Sequence, residues 1–139
     1  MASANSGSLT NKLAAAYFGS GSFKFLLVSS TPSESDLDTF VNRSSVANEV
    51  TGTGYTSGGN AVTCTVGAYD ATNNRTPVTW GSPAAWAAST ITAVGGWLYK
   101  AVGSAATDEL IGFVDFGGSI ASTGGAFTVT ISAPTYINR

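Results

Sequence analysis

The sequence predicts a mainly β fold, an antiparallel β-sandwich of about seven strands with one or two short helices. Three observations carry this. Apolar and small polar residues alternate over several stretches, as in Phe127, Val129 and Ile131 against Thr128, Thr130 and Ser132. Gly, Asn, Asp and Pro punctuate those stretches at short, regular intervals. Helical spacing of apolar residues is confined to two short segments near the N-terminus, which argues against a parallel α/β fold.

Taken in order, residues 1–8 have little to bury and are expected to form a flexible N-terminal arm, leaving residues 9–139 as one domain. Leu9, Leu13, Ala16 and Tyr17 share one helical face, with Ser8 as the expected N-cap and Gly19 and Gly21 as the stop. Ser22 to Ser29 is a strand apolar on both faces, which places it inside a sheet. Thr31-Pro32-Ser33-Glu34 reads as a helix start, with Thr31 capping and Glu34 reaching back. Leu37, Phe40 and Val41 then form the stripe that lies on a sheet. Beyond it, strands are expected at 46–50, 60–68, 77–80, 89–102, 109–116 and 126–132. Pro77 marks its strand as an edge, because proline cannot donate to a central ladder. The Gly95-Gly96 step signals a bulge or a bend between sheets.

Composition narrows the function. Charged residues are 10% of the 139-residue chain, against about 25% in ordinary domains, so the surface is largely Ser, Thr, Asn, Gly and Ala. Six basic residues and a net charge of −2 form no basic stripe, so neither nucleic acid nor a membrane surface is an expected partner. The chain has no His, the usual neutral-pH acid–base group, and one cysteine, Cys64, which is expected to be a small buried hydrophobe. No catalytic residue, metal site or cofactor is expected. Glu34, Asp36 and Asp38 read as a helix's acidic first turns. Asp115 is expected near a strand end or bonded to a turn. The glycines of Gly52-Thr53-Gly54-Tyr55-Thr56-Ser57-Gly58-Gly59 are wrongly spaced for a dinucleotide loop and precede a strand, so they read as a tight ordered turn. Two glycosylation sequons, at Asn42 and Asn74, are read as chance, because Met1 to Thr10 lacks the features of a secretory signal.

The aromatic residues offer the remaining candidates. Trp80, Trp97 and Tyr99 fall in strands and are expected in the core. Trp86 stands in the uncharged loop Gly81 to Ala88, either folded over the sandwich edge or presented to a partner. Trp86 and Tyr55 are therefore the candidate interface residues, and together could form a stacking platform for a sugar.

The order of Thr39-Phe40, Glu49 to Gly59, Val78-Thr79-Trp80, Ser89 to Ala93, Leu98-Tyr99-Lys100, Leu110 to Gly118 and Phe127 to Thr130 resembles a family of small tailed-phage virion proteins. That family is assigned as capsid decoration (cement) or minor structural proteins. The likeness spans roughly residues 22–132 and implies a virion protein, made in the bacterial host cytoplasm, that docks on the outside of the capsid lattice. The expected partners are the major capsid protein and the chain itself, as a trimer suited to local threefold positions. A tail or head-fibre component with receptor or glycan affinity is the alternative.

Overall fold

The computed structural model describes residues 6–139. In chain order the elements are α1 (Gly7–Phe18), β1 (Ser22–Val28), α2 (Glu34–Thr39), β2 (Asn60–Val62), β3 (Cys64–Val66), β4 (Arg75–Trp80), β5 (Trp86–Ala101), β6 (Glu109–Phe127) and β7 (Thr135–Asn138), with a 3-10 turn at Arg43–Ser45. The fold is mainly β, as the alternation predicts. Its seven strands form two antiparallel sheets, one ordered β2-β1-β5-β6 and the other β3-β4-β7. The chain divides into two compact units, each holding one sheet.

One unit combines residues 6–21, 63–82 and 131–139. Ser6 caps α1 by accepting from the Leu9 N–H at 3.1 Å, two residues before the expected Ser8 cap. Residues 1–5 of the expected arm lie outside the described residues, and Gly7 and Ser8 belong to the helix. The buried face is Thr10, Ala14 and Phe18, while Leu9 and Leu13 are 42% and 54% exposed, a reversal of the expected face. Phe18 explains the choice. It meets Trp80 edge-on at 5.9 Å, and one large ring outweighs two leucines.

In the same unit β4 is the central strand, so the edge placement expected from Pro77 is wrong. The reason is local. The pair Gly67 and Pro77 lies just past the end of β3, and the Gly67 N–H donates to the Pro77 carbonyl at 2.8 Å. Proline cannot return that bond, and the Asn11 side-chain amide of α1 donates to the Gly67 carbonyl instead, at 3.0 Å. The sheet thus tolerates proline because a helix side chain replaces one donor. Strand β7, with no alternation strong enough to announce it, completes the sheet against β4.

The other unit, residues 22–62 and 83–130, is built on β1, which lies between β2 and β5 as its two apolar faces require. On one face Leu26, Val28, Trp97 and Tyr99 form a buried cluster, with Phe40, Val46, Leu110 and Phe113 packed against it. On the other an aromatic run leads from Phe25 to Phe116, Phe127, Trp86 and Tyr55, with successive centroids 5.9–6.5 Å apart. Helix α2 begins two residues later than expected. Ser33 caps it, and Asp36 returns the bond to the Ser33 N–H at 2.8 Å. Leu37 and Val41 of the expected stripe are exposed, and Phe40 alone of the three packs on the sheet, against Trp97.

Three further expectations are corrected. The alternating run 60–68 is two strands, because the chain leaves one sheet and enters the other at Thr63. The expected strand 46–50 is reduced to a single bridge between Glu49 and Val28. The strands expected at 109–116 and 126–132 are one strand, β6, of 19 residues, and Val129 and Ile131 lie beyond it.

Candidate adhesive surface

Trp86 and Tyr55 do come together, stacked at 5.9 Å and 30°. They do so inside the fold. Trp86 is 3% exposed and also meets Phe127 edge-on at 6.2 Å. Trp86 opens β5 opposite Phe127, and that register turns the indole inward, so the loop does not present it. The Tyr55 hydroxyl donates to Glu49 Oε1 at 2.8 Å and accepts from the Leu27 N–H at 3.1 Å. Neither ring offers a stacking platform. Trp80, Trp97 and Tyr99 are buried, as expected.

The glycine-rich loop is a tight ordered turn, in line with its sequence. Glu49 organises it, accepting from the Tyr55 and Ser57 hydroxyls and from the Gly58 N–H. The Tyr99 hydroxyl donates to the Gly58 carbonyl at 2.7 Å, and burial pushes its pKa up to about 12. Glycine is required at two positions in particular. Gly59 has φ +68°, and a Cβ there would lie 1.9 Å from the Phe25 carbonyl oxygen; at Gly52 it would lie 2.4 Å from that of Thr90. The loop lies flat on β1 and β5, and its amides serve the fold.

Several acidic groups are similarly committed. Asp108, 3% exposed, accepts from Arg43 Nε at 2.8 Å and from the Val102 and Gly103 N–H groups at 2.8 and 3.2 Å. Burial opposes its charge, but these donors prevail and hold its pKa below the usual carboxylate range. Asp36 serves the α2 cap. Asp115 accepts from the Gly117 N–H at 2.8 Å, the turn bond expected of it. Cys64 is half-buried in β3, short of the full burial expected. Lys24 and Lys100 are on neighbouring strands but face opposite ways, one residue out of register. Among the described residues no group of three or more His, Cys, Asp or Glu side chains could hold a metal ion. A groove of about 380 Å³ is lined in part by Thr51, Thr90, Thr92, Thr123 and the already engaged Glu49.

The β6 strand of the β5–β6 hairpin is largely half-buried or exposed. β6 ends its sheet, and among the described residues Asn42 bridges Glu109 on its outer side and the Leu110 N–H donates to the Val41 carbonyl at 2.9 Å. From Ile111 to Ala126 no described strand pairs with that edge. The stretch holds no proline or lysine and one charged residue, Asp115. It therefore lacks the usual devices that keep sheet edges apart, except for bulges. The main bulge is Phe116 to Ser119, where the register passes from Ala93–Ile120 to Gly95–Asp115. The glycines of this strand resemble a loop, so the sequence predicts two strands where there is one. The available signal was the uncharged character of the whole stretch. No helix among the described residues is long and apolar enough to cross a membrane. Comparison with protein-family models, curated proteins and solved structures finds no match for the chain.

Proposed function

We propose that the chain is a phage capsid decoration protein that binds the outer surface of the assembled lattice and stabilises it. The observation that carries this reading is the long, nearly uncharged edge of β6, with Glu49 and Asp108 occupied in holding loops. Such a molecule offers surface and backbone pairing. The resemblance to phage virion proteins supports the same role. The Gly-Thr-Gly-Tyr-Thr-x-Gly-Gly stretch that carries it is scaffold, as a structural family's signature should be. Low charge suits crowded copies on a lattice, and repetition lets weak contacts sum to tight binding. The major capsid protein is the proposed partner, and the outer capsid surface the proposed location. Burial of Trp86 speaks against the sugar-platform reading.

Co-sedimentation tests this directly. Purified protein added to undecorated heads is expected to bind to a fixed stoichiometry and to raise their resistance to heat or chelator. Heads that sediment without it would refute the role.

A further inference from the structure

Resting on the adhesive reading, we propose that a cavity beside α2 receives an arginine side chain from the protein that this chain binds. The cavity is about 260 Å³ and lies within one compact unit. Residues 30–32, Asp36, Phe40, Ala47 and Asn48 line it, together with buried Trp97 of β5. Its walls are braced. The Ser29 N–H donates to the Asn48 carbonyl at 3.0 Å, and the Asn48 side-chain amide donates to the Ser30 carbonyl at 2.8 Å. Phe40 lies against Trp97 with centroids 6.2 Å apart, and Phe113 meets Trp97 at 5.4 Å. Walls held in this way need little ordering when a side chain enters. At about 30 Å³ per heavy atom, the share of one liquid water, the space matches one long side chain.

Charge selects the occupant. Asp36 is the one charged residue in the lining, and it is half-buried. Its Oδ2 accepts from the Ser33 N–H at 2.8 Å. Among the described residues its Oδ1 has no donor and the carboxylate has no ion pair. Between Lys24 and Arg43 the sequence carries Glu34, Asp36 and Asp38 and no basic residue, so the field around α2 is negative. A cation complements it. Two aromatic side chains and a carboxylate suit a guanidinium better than an ammonium, because the planar group is weakly hydrated, stacks on rings and pairs with carboxylate oxygens. The aliphatic stem of the same side chain can lie along Pro32 and Phe40. Arginine is also a frequent anchor of protein interfaces. The groove at Thr90 offers no such match, since both oxygens of its one acid, Glu49, are already engaged.

Nuclear magnetic resonance of the full chain, without heads, tests the proposal, with N-acetyl-arginine amide as the probe. The Trp97 indole signal is expected to shift and to saturate at millimolar probe, while those of Trp80 and Trp86 stay in place. N-acetyl-citrulline amide keeps the shape and lacks the charge, and is expected to bind more weakly by about fivefold or more. Asp36→Asn should weaken the arginine probe to the same degree with unchanged circular dichroism, because the amide oxygen can still accept from the Ser33 N–H. Asp38→Asn makes the same charge change at an exposed position outside the lining and should leave binding within about twofold. No saturation, equal binding of the citrulline probe, or equal loss in the two variants overturns the site. Head binding separates the two proposals. A chain that takes the probe yet ignores heads keeps the site and sinks the decoration role. Heads coated equally well by the unmodified chain and by Asp36→Asn sink this inference and leave that role standing.

Discussion

At the scale of single residues, the polar and aromatic groups that invite a functional reading are holding the fold. Trp86 is the clearest case. Packed between Tyr55 and Phe127 at 3% exposure, it should cost about 3–5 kcal/mol when cut to alanine, read by chemical denaturation. An interface tryptophan would give unchanged stability and lost binding. Asp108 makes a second prediction. Its folded pKa is depressed, so the stability it contributes is complete above the ordinary carboxylate pKa of about 3.9 and is lost as pH falls through the lower folded value. Asp108→Asn should therefore cost about 2 kcal/mol at neutral pH, because the amide oxygen can still take the two N–H groups but half-buried Arg43 loses its charged acceptor. The gap between the two proteins should hold down to about pH 5 and narrow below about pH 4. A gap independent of pH would contradict the charge's role.

At the scale of elements, the sequence was readable where a periodicity stood alone and misleading where one local rule met a remote partner. β1 was legible because both its faces are apolar, which only an interior strand needs. The glycine loop was legible because its glycines precede a strand. Pro77 was misread, since nothing near it in sequence reveals that Asn11 supplies the missing donor. Asn11→Ala should leave the Gly67 carbonyl unpaired and lower stability by about 1 kcal/mol in urea unfolding, and no change would mean that water serves that carbonyl as well. The face of α1 was misread for a related reason, because Phe18 finds Trp80 sixty-two residues away in sequence and leucine spacing carries no word of it. β6 was divided because glycine usually marks a turn, while here Gly117 and Gly118 lie in a bulge within one strand. Of the candidate site, the pairing of Trp86 with Tyr55 was anticipated, but its burial depended on the register of β5 with β6.

At the scale of the molecule, this is a low-charge, β-rich chain with a long, nearly uncharged sheet edge. It can stick, repeat and stiffen a larger assembly. If that is its work, abundance in the particle follows, since decoration requires copies in proportion to the lattice and a tail tip requires few. Quantitative mass spectrometry of purified particles of the encoding phage measures this most directly. The expected ratio is one copy of this chain for every one or few major capsid subunits. A handful of copies per particle, or none, would contradict the assignment to the capsid surface.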